Sequence, residues 1–187
     1  MSTPANTPQG PSGKPLEVFS NCHDGILSHL AEFGRLPALL DPAAQARRIA
    51  KHTLTFFREV VYEHHAEEES ELFPAVASGA AQGEERQRVK DSIKRLTQEH
   101  RQIEAAWSEL EPALKEVAKG HDATLDSAGV AALVATYKAH AAYEEEVFLP
   151  LSQTILGRDS AHMGALGLSM HLRHAVPELM KRLGHRI

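Results

Sequence analysis

Cysteine is almost missing from this chain: Cys22 stands alone among 187 residues. No disulfide can close within the chain, and no multi-cysteine zinc or iron–sulfur site can be assembled. Long apolar runs are missing too. A stretch such as GVAALVATY, residues 129–137, falls well short of the roughly 20 residues needed to cross a bilayer. The first fifteen residues lack the apolar centre of a signal peptide. Positive charge is in deficit, with 20 Lys and Arg against 25 Asp and Glu, so nothing in the net charge of −5 draws the chain to nucleic acid or anionic lipid. These absences predict a cytoplasmic protein with neither nucleic-acid nor membrane partners. Strand signals are also absent, since no segment alternates apolar and polar residues between hairpin turns. Histidine, by contrast, is plentiful: the chain has 12, and imidazole is the commonest metal ligand among side chains.

The opening MSTPANTPQGPSGKP has no apolar periodicity and reads as a disordered leader over 1–15. Helical periodicity begins at Leu16 and is expected to break at Pro37 and at the Asp41–Pro42 pair, which resembles an N-cap followed by a first-turn proline. A second helix should run from there to the Pro74–Ser78 region. A third should span Glu84 to Lys119 and stop at Gly120, and a fourth should start after Asp126 and reach Pro150. Four amphipathic helices with short connections predict an all-α fold, an antiparallel up-down four-helix bundle over 16–155. Residues 156–187 would add a short C-terminal helical tail.

An internal repeat singles out particular histidines. AHAAYEEEVFLP at 139–150 aligns with EHHAEEESELFP at 63–74, so that His140 matches His64, Glu144 matches Glu68 and Pro150 matches Pro74. His65 faces Ala141 and has no counterpart. The preceding helices repeat as well: Phe19, His23, Ile26, Leu30 and Phe33 align with Leu96, His100, Ile103, Trp107 and Leu110. Each half therefore carries one in-line histidine and one HxxxE pair. Residues four apart share a helical face, so each HxxxE presents an imidazole and a carboxylate together. His23 and His100 continue apolar stripes and should point inward. Buried carboxylates are costly without a partner of opposite charge, and a metal ion supplies one. Histidine and carboxylate ligands without thiolate suit non-haem iron or manganese, with zinc as an alternative. Two inward carboxylates from opposite halves make a dinuclear centre the economical reading. The chain has no ExxH and no HExxH, which removes the main signatures of ferritin-like di-iron carboxylate proteins and zincin proteases.

The combination of His23, His64 with Glu68 before LFP, His100 in EHRQIEAAW, and His140 with Glu144 before FLP resembles the hemerythrin-like, or HHE cation-binding, family over roughly 16–155. The resemblance implies a four-helix bundle holding two non-haem iron ions. Their bridges would be an oxo or hydroxo group and the carboxylates of Glu68 and Glu144, and their terminal ligands His23, His64, His100 and His140. Oxygen-carrying members have a fifth histidine one turn after the third-helix histidine, where this chain has Glu104. Glu104 is therefore read as a further ligand, with pairing to Arg101 or Lys94 as its alternative. The other histidines His29, His52, His65 and His121 read as solvated, Glu67, Glu69, Glu71, Glu145 and Glu146 as an acidic outer face, and Trp107 as core.

The function this implies is binding of, or reaction with, a small ligand such as O2, NO or peroxide at a di-iron centre. Two alternatives stand beside it: an enzyme consuming peroxide or NO with Glu104, Tyr62, Tyr137 or Tyr143 as proton donor, and a metal-stabilised regulatory or interaction module. No catalytic base, nucleophile or substrate pocket is legible beyond the metal residues.

Overall fold

A computed structural model describes residues 15–158, with side chains from 23 onward. The leader, the tail from 159 with His162, His171, His174 and His185, and the side chain of Cys22 lie outside the described residues. The described residues are all helical apart from the connections 80–83 and 120–126 and the turn at 157–158, and contain no strand.

Three long helical runs stand where four helices were expected. The first consists of α1 (Pro15–Phe56), a π-helical turn π1 (Phe57–Val61), α2 (Tyr62–Glu67), a second π turn π2 (Glu68–Leu72) and α3 (Phe73–Gly79). The second is α4 (Glu84–Lys119). The third comprises α5 (Ser127–Tyr143), π3 (Glu144–Phe148) and α6 (Leu149–Leu156). The interruption expected at Pro37 and Asp41–Pro42 is absent, for both prolines lie inside α1. Proline fixes φ near the helical value and removes only its own N–H, so it weakens a helix locally without forbidding its continuation.

The remaining boundaries follow local chemistry. Gly120 ends α4 in the left-handed region at φ 85°, and Asp126 caps α5 by accepting a 3.0 Å hydrogen bond from the Ala128 N–H. No helix of the described residues is long and apolar enough to cross a membrane.

Two compact units are distinguished, Met1–Ala44 and Gln45–Ile187. In the first, the apolar side chains Ile26, Leu30 and Phe33 are exposed. In the second, α4 is the central support. Its buried stripe runs Val89, Ser92, Leu96, His100, Ile103, Trp107, Leu110, Leu114 and Ala118, and α4 packs on α3 and α5. Two apolar clusters form along it. Val89 and Leu96 join Phe73, Val76, Phe148, Ile155 and Leu156, with Phe73 and Phe148 edge to face at 5.2 Å. Ile103, Trp107, Leu110 and Leu114 join Ala50 and Leu133, and Phe57 stacks on Trp107 at 3.8 Å. His100 falls between the clusters, so both wall off the same polar layer.

Phe73 is buried and contacts partners from both neighbouring runs. Phe73→Ala is expected to destabilise the metal-free protein by about 3–5 kcal/mol, measured by urea unfolding with the fluorescence of the sole tryptophan, Trp107, as the probe.

Candidate metal centre

The two π turns that begin at Glu68 and Glu144 occupy equivalent places in the repeat, and each precedes a proline, Pro74 or Pro150. A proline ring clashes with the carbonyl four residues earlier, here of Ser70 and Glu146, inside the widened turns. The Phe73 N–H accordingly donates to the Glu68 carbonyl, and the Leu149 N–H to that of Glu144, one residue beyond the usual α-helical partner. The duplicated proline thus accounts for a duplicated bulge, and each bulge starts at an inward carboxylate.

Glu68 and Glu144 are both buried, and so are His65, His100 and His140. The ligand atoms of Glu68, His100, His140 and Glu144 all lie within 4.8 Å of one another, and those of His65, His100 and His140 form a second such group. His100 Nε2 is 3.3 Å from Glu68 Oε2, and His140 Nε2 is 3.5 Å from Glu144 Oε2. The His65 and His100 rings stack at 3.9 Å, and His140 meets His100 edge-on at 4.9 Å.

His65 Nε2, His100 Nε2, His140 Nε2, Glu68 Oε2 and Glu144 Oε1 are buried and have no hydrogen-bond partner. Five such orphans in one place would each carry a desolvation penalty of about 1–3 kcal/mol. All are atoms that coordinate metals, and imidazole with carboxylate suits iron, manganese or zinc. The residues present therefore fit a cation.

Electrostatics point the same way. Burial pushes Glu68 up to about 7, and burial followed by the charge of Glu68 pushes Glu144 up to about 8, as the two carboxyls hydrogen-bond each other. Burial, followed by the neighbouring imidazoles, lowers His64 to about 4. His65 also falls to about 4, for the same leading reason. Without a cation, His64 and His65 are neutral near pH 7 and Glu144 holds its proton.

The residues predicted from sequence divide into four groups. His100, His140, Glu68 and Glu144 converge. His64 lies beside them, with Nε2 3.6 Å from Glu68 Oε1 and its side chain 27% exposed. Glu104 does not join the convergent atoms; its Oε1 accepts from His65 Nδ1 at 3.1 Å and its carboxylate pairs with Arg101 at 3.0 Å. His23 belongs to the other unit, Met1–Ala44, and is exposed there.

His65 was expected to be solvated and is 1% exposed. The repeat, which sets His65 opposite Ala141, gave it no partner, yet His65 lies three residues before Glu68 and so shares a helical face with it. Glu69, placed on an outer face, accepts from His100 Nδ1 at 2.8 Å. The exposed Glu71, Glu145 and Glu146 fit that outer face, and Trp107 is core as expected.

Comparison with known proteins places these residues in context. A family profile described as Hemerythrin HHE cation binding domain matches residues 14–152. An uncharacterized protein from Haemophilus influenzae is 24% identical over 159 residues, covering 81% of this chain and 89% of that one. No solved structure matches.

The raised carboxyls make a pH prediction for the metal-free protein. Glu68 and Glu144 titrate higher folded than unfolded, so their stabilisation is present below about 4.5 and is lost as pH rises through about 7 and 8. His64 and His65 titrate lower folded, so their contribution is complete above about 6.5 and is lost as pH falls through about 4. Between roughly pH 6.5 and 8 only the carboxyl effect remains. Thermal unfolding of chelated protein should show a lower midpoint at pH 8 than at pH 6.5, and an unchanged or higher midpoint would contradict the protonated pair.

Proposed function

Because the chain belongs to the hemerythrin HHE cation-binding domain family, we infer that it holds two non-haem iron ions and binds or reacts with a small ligand such as O2, NO or peroxide. The observation that carries this reading is the set of five buried, partnerless ligand atoms on His65, His100, His140, Glu68 and Glu144. In this reading Glu68 and Glu144 would supply carboxylate ligands, His65, His100 and His140 would hold one ion, and His64 would hold the other. When bound, such a pair of ions supplies reversible redox chemistry toward small oxygen and nitrogen ligands.

The surrounding residues limit what can enter. Leu96 and Ile103 flank His100 along α4, and Phe73 lies against its ring at 6.0 Å, so the buried layer favours small ligands over large ones. Exposed Ile26, Leu30 and Phe33 align by the repeat with buried Ile103, Trp107 and Leu110.

A second reading, turnover of peroxide or NO, draws support from Tyr137. Its ring lies 5.8 Å from that of His140, and burial with the charges of Glu144 and Glu68 pushes its phenol up to about 12. The hydroxyl therefore keeps its proton beside the centre, where it can donate to a bound ligand. Tyr143 is instead occupied at 2.9 Å with Ser92 Oγ, and Tyr62 is exposed.

Metal analysis after iron-replete expression should find two irons per chain. His65→Ala should lose iron at least as severely as His64→Ala. A stoichiometry of one or fewer in the unaltered protein would overturn the dinuclear reading, and full iron retention in His65→Ala would return the assignment to His64 alone. Steady-state consumption of peroxide or NO, abolished with the metal and reduced in Tyr137→Phe, would favour the enzyme over the binder.

A further inference from the structure

The imidazole nitrogens facing away from the centre are as ordered as those facing it. His65 Nδ1 lies 3.1 Å from Glu104 Oε1, His100 Nδ1 2.8 Å from Glu69 Oε1, and His140 Nδ1 3.1 Å from Glu99 Oε2. Each bond joins two helical elements: α2 to α4, α4 to π2, and α5 to α4. Arginine secures all three glutamates. Arg101 reaches both oxygens of Glu104, at 3.2 and 3.0 Å, and also pairs with Glu69, while Arg95 Nε donates to Glu99 at 2.7 Å.

An ionised carboxylate only accepts hydrogen bonds, so in each pair the proton must sit on Nδ1. In a neutral ring that leaves the lone pair on Nε2, and in all three rings Nε2 is the atom that lacks a partner. Neutral histidine otherwise divides between two tautomers, only one of which can coordinate through Nε2.

We propose that Glu69, Glu99 and Glu104 are positioning residues, which hold His100, His140 and His65 in the Nδ1–H form and aim their Nε2 lone pairs at the Glu68–Glu144 pair. The inference rests on reading that cluster as a metal centre. It gives Glu104 a role other than ligand and gives Glu69 a role its repeat partner, exposed Glu145, lacks. Arg101 ties the supports of the two stacked rings together, so His65 and His100 are held as one piece and His140 separately. Losing a support of this kind typically weakens metal binding 10–100-fold while the ligands themselves remain.

The test uses the full chain with Ala and Gln substituted at 69, 99 and 104, titrated with Fe(II) against a competing chelator under anaerobic conditions. Each Ala variant should bind the same number of ions as the unaltered protein, 10–100-fold more weakly. Each Gln variant, whose side-chain carbonyl still accepts from Nδ1–H without the charge, should fall between. Imidazole nitrogen NMR of the metal-free protein should show Nδ1–H at all three rings, and a tautomer mixture at the one ring whose support is removed. Unchanged affinity in the Ala variants would reduce the three pairs to surface electrostatics and overturn the proposal. Loss of a whole ion in Glu104→Gln would make Glu104 a ligand and overturn it equally. Should the unaltered protein bind no iron, the proposed function fails, while the tautomer spectra still decide the positioning role.

Discussion

Two buried carboxylates face each other, and the rest of the second unit is arranged around that unfavourable pairing. Glu68 and Glu144 cannot both be ionised there without a cation, because each lacks solvation and repels the other. The apolar clusters on either side of His100 keep the layer closed. Imidazoles fill the remaining space, and the arginines that balance the outer glutamates, Arg95 and Arg101, stay toward the surface. Neither arginine reaches the point where the two carboxylates meet, which leaves a cation as the complementary occupant.

The backbone takes part in this arrangement. A regular α-helix spaces residues by 3.6 per turn, and a proline inside it must be accommodated by a kink or a wider turn. Pro74 and Pro150 are accommodated by π turns at equivalent positions, and these turns begin at the paired carboxylates. The third, Phe57–Val61, contains no proline, and nothing in its sequence explains it. It directly precedes α2, which carries His64 and His65.

Much of the centre was legible from residue spacing alone. The repeat identified His100, His140, Glu68 and Glu144, all of which converge, because helical periodicity and duplication act on the same face. Gly120 and the Asp126 cap marked the ends of α4 and α5 through purely local chemistry. Reading failed where a local rule met competing contributions. Pro37 and Pro42 suggested a boundary, yet α1 continues through both, since a single missing hydrogen bond does not by itself end a helix.

What the sequence by itself determined is the chemistry: an all-helical chain without thiolate sites, with duplicated imidazole–carboxylate pairs in an apolar stripe. Those properties depend on residue type and on spacing within one helix, and both are written in the chain. Only the tertiary structure decided which of His64 and His65 faces fully inward, and that Glu104 supports a ring nitrogen. It alone revealed the use of Glu69 and Glu99. These outcomes depend on the rotation of one helix against another and on hydrogen bonds between residues 31, 39 and 41 positions apart. A widened turn changes the first by about a residue, and no periodicity within a single helix records the second.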